Sequence, residues 1–305
     1  MYKNQKFHIY FNEWMHVYKL GAVSDVTYAK YVITQKQIQR LAPDLTLNNL
    51  NRLRYQELLN EYAERHEKQT TLDFHHQLKA ALTDAVDEGL IHRDPSHRVV
   101  IKGTTQRKHK TKFLSQAELR ELLNQLDLSQ GRLMDYLILL IAKTGLRFAE
   151  ALGLTKEDID FQKQLLKIDK TWNYKTNEGG FAPTKNESSK RKIQIDWQTC
   201  MYLRDLVVDL KNDDLVFIRG KRLHNATLND YLERLCNQAS IPVISMHGLR
   251  HTHASMLLYA GVSVASVARR LGHSSITTTQ RTYLHIIKEL ENQDNDRIMQ
   301  FLGAL

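Results

Sequence analysis

The sequence predicts a mainly α protein carrying a small antiparallel β-sheet. Three observations lead there. Apolar residues recur at helical spacing through most of the 305 residues. β-forming residues gather only in Leu165–Asp169, Phe181–Thr184 and Lys192–Asp196, interrupted by Gly179-Gly180 and a polar turn. One segment without hydrophobic periodicity, residues 102–112, separates two helical blocks.

The first block, 1–101, reads as four helices: His8–Tyr18, Val26–Leu41, Leu47–Tyr62 and Leu72–Leu90. Gly89 and the pair Asp94-Pro95 supply the stop signal for the last. The block is close to charge-neutral, with 13 Lys or Arg against 12 Asp or Glu. Residues 102–112 then bring Lys102, Arg107, Lys108, Lys110 and Lys112 with no acid, more than half of the chain's net +9. This is a basic interdomain linker, which serves either as a solvated loop or as a strap whose cations replace counterions on a polyanion.

The second block, 113–305, opens with a capping box, Ser115-Gln-Ala-Glu118, ahead of a helix at Leu119–Leu126. Leu133–Ala142 is apolar on most faces and therefore a buried helix, ended by Thr144-Gly145. The strands follow. Helices are expected again at Trp197–Leu210, Thr227–Ala239, Gly248–Ala260, Val264–Leu271 and Thr277–Ile287. A polar helix should continue over 285–300, leading into an apolar tail, 298–305. Such a tail needs a surface to cover it, on its own domain or on a neighbouring protomer.

Composition narrows the function classes. Hydrophobic residues make up 42% and charged residues 25%, enough apolar material for packed cores and too much for a disordered chain. A net charge of +9 favours polyanionic partners. The two cysteines, Cys200 and Cys236, lie in amphipathic helical patterns and read as small buried residues, not as a disulfide framework or zinc site. The N-terminus lacks the apolar core of a signal peptide, and Tyr136–Ala142 is too short to span a bilayer. The expected location is the cytoplasm, with no membrane partner.

Four short segments of the second block carry chemistry: Thr144-Gly-Leu-Arg147-Phe-Ala-Glu150, Pro183-Thr-Lys185-Asn, His247-Gly-Leu-Arg250-His251 and Leu271-Gly-His273. Tyr283 follows ten residues later. Arg is suited to phosphate because its planar fork binds oxygens bidentately and stays charged. His247 and His251, four apart, could share one helix face as zinc ligands do. The residues between them are Gly, Leu and Arg, without a glutamate and with a cation that repels metal.

In order and spacing these motifs resemble those of the tyrosine recombinase, or phage integrase, family. The resemblance spans roughly 113–290, and the first block is more loosely similar to that family's core-binding, SAM-like domain. It implies a tyrosine-recombinase catalytic domain that cleaves and rejoins double-stranded DNA through a 3′-phosphotyrosyl bond, without metal or other cofactor. It implies Tyr283 as nucleophile and Arg147 and Arg250 as the phosphate clamp. His247 would hydrogen-bond the phosphate or help deprotonate the tyrosine, and His273 would bind another phosphate oxygen. Lys185 would be the general acid for the leaving 5′-oxygen, with Lys190, Arg191 and Lys192 competing for that role. Glu150 would orient Arg147 from behind. His251 and His253 are expected to be structural or supporting residues.

The hairpin Trp172–Ile195 is similar to that of integrases of mobile elements from low-GC Gram-positive hosts. The implied activity is then integration and excision of a mobile element or prophage. The implied assembly is a DNA-bound tetramer on attachment or core sites, helped by accessory DNA-bending or excision factors. Relatives of this type often carry a further N-terminal arm-binding domain, whereas this sequence starts almost at the first core-binding helix. Three alternatives stand beside this reading: a chromosome-dimer resolvase, a type IB topoisomerase-like enzyme and a DNA-binding repressor on an inactive recombinase fold. The complete set of six catalytic-type residues argues against the last.

Overall fold

A computed structural model describes residues 4–104, 112–176, 178–220, 222–284, 286, 299, 301 and 302. The chain divides into two compact units, Met1–His109 and Lys110–Leu305.

Among the described residues the first unit contains four helices: α1 (Phe7–Tyr18), α2 (Asp25–Leu41), α3 (Arg52–Ala63) and α4 (Lys68–Asp87). α1 presents Phe7, Tyr10, Phe11, Trp14 and Met15 at helical spacing to a core shared with Ile38, Tyr55, Leu58, Phe74, Leu78 and Leu82. The polar ends of the buried aromatics find partners: Tyr10 Oη donates to the Ala81 carbonyl (3.0 Å) and Trp14 Nε1 to Asp84 (2.6 Å). α3 starts later than the apolar pattern predicts. Leu47 and Leu50 are buried, but in the turn before Asn51, whose side chain caps the helix by accepting from Arg54 N (3.0 Å). Periodicity therefore continued past the point where the backbone stops being helical.

The first unit also keeps the start of the basic segment. Val100 exchanges two bonds with the Gln56 side chain, and Thr104 N donates to the His66 carbonyl (2.9 Å). Gly103 lies so close to α4 that an added Cβ would sit 2.1 Å from Lys68 N. Lys102 is exposed on this packed strip. Arg107, Lys108 and Lys110 lie outside the described residues.

The second unit is built around α6 (Leu133–Thr144), nine of whose 12 residues are buried. α5 (Gln116–Asn124) begins with the expected capping box, Ser115 with Glu118. After α6 come the short helix α7 (Phe148–Leu152) and the strands β1 (Ile159–Asp160), β2 (Leu165–Ile168), β3 (Lys170–Trp172), β4 (Phe181–Pro183) and β5 (Arg191–Gln194). They form two small antiparallel sheets, ordered β1-β2-β5 and β3-β4. In the register of β2 with β5, Leu166 faces Ile193, and both point into the core. β1 and β3, of two and three residues, are too short to show an alternating pattern in sequence.

The remaining helices are α8 (Trp197–Leu206), α9 (Asn225–Gln238), α10 (Met246–Tyr259), α11 (Val264–Leu271) and α12 (Ile276–Thr282). α10 packs along α6 and also meets α11, which leads into α12. Cys200 and Cys236 are free and buried. The expected helix over 285–300 falls largely outside the described residues; of the tail, Met299, Phe301 and Leu302 are described and exposed. Among the described residues no helix is long and apolar enough to cross a membrane.

Candidate active site

The site grows from the end of α6. Gly145 takes φ +69°, a left-handed conformation that glycine adopts without strain. A Cβ there would also lie 2.7 Å from His253 Cδ2 and 2.9 Å from Leu271 Cδ2, so α10 and α11 can close on this turn only past a glycine. The turn delivers Arg147 to the start of α7.

Arg147 is held by Glu150, whose residue exposure is 2%. The carboxylate accepts from Arg147 N (2.9 Å) and Arg147 Nη1 (2.5 Å), and from Arg191 Nη2 (3.0 Å) and Nη1 (3.3 Å). Burial alone would raise the Glu150 pKa. Arg191, then Arg147, outweigh burial together and hold it below the ordinary value, so the group is an anion between two cations. Arg191 is braced in turn, donating to the carbonyls of Arg270 (2.7 Å) and Ser189 (2.8 Å).

Two arginines converge on one turn. Arg147 Nη2 donates to the Gly272 carbonyl (3.2 Å), and Arg250 Nη2 donates to the Leu271 carbonyl (2.7 Å). Arg250 also donates from Nη1 to the Gly145 carbonyl (2.6 Å), tying the ends of α6 and α11 together. Burial, and secondly Arg147, lower the Arg250 pKa to about 9, which leaves it charged at neutral pH. Gly272 takes φ +70°, and a Cβ on it would meet Arg191 Nη1 at 2.9 Å and Ser189 Cα at 3.0 Å.

The histidines differ in their surroundings. His273, half-buried, shares a hydrogen bond with Thr279 Oγ1 (2.7 Å); burial, then Arg250 and the other arginines, push its pKa down to about 4. His247 keeps an accessible face, yet the surrounding protein displaces enough water to lower its pKa, with Arg250 and Arg147 adding to the effect. His253 is buried between Ala142 and Arg270. Arg270 Nε donates to its Nε2 (2.9 Å), so Nδ1 carries the proton and donates to the Ala142 carbonyl (3.0 Å). Burial and Arg270 lower its pKa to about 3.

Tyr283 follows α12 directly and is 2% exposed, packed with Ala254, Leu258, Val267, Leu271 and Ile286. Its hydroxyl lies 2.8 Å from His251 Nδ1. Burial raises the Tyr283 pKa to about 12, against the opposing pull of Arg250. The His251 ring is edge-on to His247, with centroids 4.7 Å apart.

The structure thus gathers Arg147, Glu150, Arg250 and His273 around the Leu271–His273 turn, and joins Tyr283 to the His247–His251 face of α10. Lys185 stands exposed in the turn after β4, outside this hydrogen-bonded network. Of its neighbours, Lys190 pairs with Glu187 (3.0 Å), Lys192 is exposed on β5, and Arg191 is committed to Glu150. Lys112 is exposed at the start of the second unit. Among the described residues no three His, Cys, Asp or Glu side chains are grouped to hold a metal ion.

Two residues of the site carry more than sequence reading assigned them. His251 was expected only to support, although its i, i+4 spacing from His247 places both on one helix face. Arg191 was expected only as a competitor of Lys185, and nothing in its position within β5 points to Glu150.

A helical domain of this kind, with small sheets beside its central helix, is the fold of solved tyrosine recombinases. A Tn1549 transposon integrase in complex with transposon right end DNA superposes with a TM-score of 0.81, covering 97% of this chain and 100% of that one at 18% identity. A lambda integrase dimer bound to a core site gives a TM-score of 0.66 over 90% of this chain and 76% of that one, also at 18% identity. Residues 112–289 match the phage integrase family, and the chain belongs to it. Among curated relatives, a "tyrosine recombinase XerC-like" protein of Caldanaerobacter subterraneus is 30% identical over 242 residues, 69% of this chain and 60% of that protein. The integrase of Staphylococcus phage L54a is 24% identical over 95% of this chain and 92% of its own length. The transposase from transposon Tn916 of Enterococcus faecalis is 28% identical over 48% of this chain, which spans 41% of it.

Proposed function

We propose that this chain is a site-specific DNA recombinase that integrates and excises a mobile element or prophage through a 3′-phosphotyrosyl intermediate, without metal. The observation that carries the reading is the convergence of two arginines on the Leu271–Gly272 turn, eleven residues before a buried tyrosine in contact with the same unit's α10. Family membership and the phage and transposon relatives support it.

In this reading the Tyr283 oxygen attacks a phosphodiester phosphorus while the bond to the 5′-oxygen breaks. Arg147 and Arg250 neutralise charge on the non-bridging oxygens, their forks preset by Glu150 and the Gly145 and Leu271 carbonyls. His273 and His247 donate to the phosphate. Lys185, exposed in the turn after β4, gives its proton to the leaving oxygen. A 5′-hydroxyl from another strand reverses the steps and exchanges the strands.

The first unit serves as the core-type DNA-binding domain, and the 102–112 cations bind phosphates along the duplex. Four chains assemble on paired attachment sites, with the tail from 298 docking on a neighbouring protomer. Accessory DNA-bending or excision factors set direction, in the bacterial cytoplasm at the nucleoid. The XerC-like relative favours a second reading, resolution of chromosome dimers. Recombination between the ends of a mobile element and a distinct host site separates the first from the second.

The test starts from duplexes selected by binding out of a randomised pool. A nicked suicide version of the selected site should give a covalent protein–DNA adduct that survives denaturant and chelator and is absent from Tyr283→Phe. An adduct formed by the Phe variant would refute the assignment of the nucleophile.

A further inference from the structure

We propose that His251 takes the proton from Tyr283 as the phenol attacks phosphorus, making it a catalytic residue of strand cleavage; this rests on Tyr283 being the nucleophile. An aryl phosphate ester carries no phenolic proton, so a group within hydrogen-bond reach must receive it. Tyr283 is buried and its pKa is raised to about 12, so only about 10⁻⁵ of it is ionised at neutral pH. A preformed phenolate is therefore not available.

Geometry selects the acceptor. His251 Nδ1 lies 2.8 Å from Tyr283 Oη. Among the described residues the hydrogen bond of the phenol is to His251, whereas His273 Nδ1 is engaged with Thr279 Oγ1 and the His247 ring lies edge-on to that of His251. His251 is half-buried on α10, one residue from Arg250, which itself is tied to Gly145 and Leu271. The base is thus mounted on the same helix as one arm of the phosphate clamp.

Electrostatics supply the timing. At rest, burial first, then His247, Arg250 and Lys112, lower the His251 pKa to about 4. The imidazole is therefore neutral, with a lone pair on Nδ1 to accept from the phenol when Nε2 carries the proton. A phosphodiester seated on Arg250 adds negative charge beside those cations and makes the imidazole a better acceptor. Formation of the O–P bond acidifies the phenol in the same event. The balance is closed: O–H breaks as Nδ1–H forms, O–P forms as P–O5′ breaks, and Lys185 protonates the leaving O5′; on rejoining the 5′-hydroxyl gives its proton back to Lys185 and His251 returns the other to Tyr283.

The experiment measures single-turnover cleavage of the nicked suicide duplex by the full chain, with DNA binding by gel shift as the control for folding. His251→Ala should slow cleavage by about 10²–10⁴-fold while binding holds. His251→Gln, which can still hydrogen-bond the phenol but cannot take its proton, should be comparably slow. The decisive arm replaces Tyr283 by a ring-fluorinated tyrosine whose phenol ionises several pH units lower. In that background the His251→Ala defect should shrink to within about tenfold, because less of the barrier is proton removal. An equal defect in both backgrounds would mean that His251 only packs, and would overturn the proposal. So would cleavage by His251→Ala at the unsubstituted rate. Absence of an adduct from the unsubstituted protein is a different failure, which removes the recombinase reading itself.

Discussion

Glu150→Gln exchanges a carboxylate oxygen for an amide nitrogen at a side chain only 1% exposed. Four N–H groups converge on that carboxylate, three of them from the guanidinium groups of Arg147 and Arg191. The amide nitrogen loses the two bonds at its position and faces donors in their place. Hydrogen bonds to charged groups contribute about 1.5–3 kcal/mol each, so the local loss is about 3–6 kcal/mol. Breaking a buried ion pair from one side costs about 3–5 kcal/mol, which agrees. For a unit of this size, about 2–4 °C per kcal/mol converts 3–5 kcal/mol into a fall in Tm of about 6–20 °C. Calorimetry of the full chain at neutral pH measures it on the second unit's transition. The sign of the pH dependence is fixed by the lowered pKa of Glu150. The native advantage is complete above the unfolded value near 4.3 and is lost as pH falls through the lower folded value. Gln cannot titrate, so the gap between the two proteins should narrow only below about pH 4. A Tm change under about 2 °C at neutral pH would refute the account of Glu150 as the anion that holds the arginines.

Arg147→Lys keeps a charge but loses the fork, and should slow single-turnover cleavage by about 10²–10³-fold with DNA affinity nearly unchanged; equal losses in both would place Arg147 in general binding. His253, neutral in the fold with a pKa near 3, takes up its proton on unfolding below about pH 6.5. Stability should therefore fall as pH drops from about 6.5 towards 3, by up to about 1.4 kcal/mol per pH unit, and His253→Gln should flatten that slope in Tm–pH profiles. Replacing Lys102, Arg107, Lys108, Lys110 and Lys112 with Ala should reduce the slope of log affinity against log salt by up to about 4.5; an unchanged slope would make the segment a solvated loop.

The sequence revealed the helices best where an apolar stripe and a cap coincide, as at Ser115–Glu118, and the ending of α6 at Gly145. It misplaced the start of α3 because Leu47 and Leu50 enter the core from a turn, and burial in a turn leaves the same trace as burial in a helix. One sheet was expected where there are two, since β1 and β3 are shorter than a period-2 pattern can reveal. Within the site, motifs named candidate residues but not their couplings. Glu150 beside Arg147 was legible from i, i+3 spacing, and the structure pairs them. The bond from Arg191 to Glu150 spans 41 positions and that from His251 to Tyr283 spans 32, and no local pattern encodes such pairings.

The Leu271–Gly272 turn has a mechanical consequence. Its two successive carbonyls each hold one guanidinium, Arg250 and Arg147, and its glycine leaves no room for a Cβ against Arg191 and Ser189. The same turn opens directly into α12 and Tyr283. One turn therefore anchors both cations and lies on the path to the hydroxyl, while Arg250 keeps a second tie to Gly145 and Arg147 a second tie to Glu150. A change of backbone geometry at Leu271–Gly272 would reach both guanidinium groups at once, against the hold of those second ties.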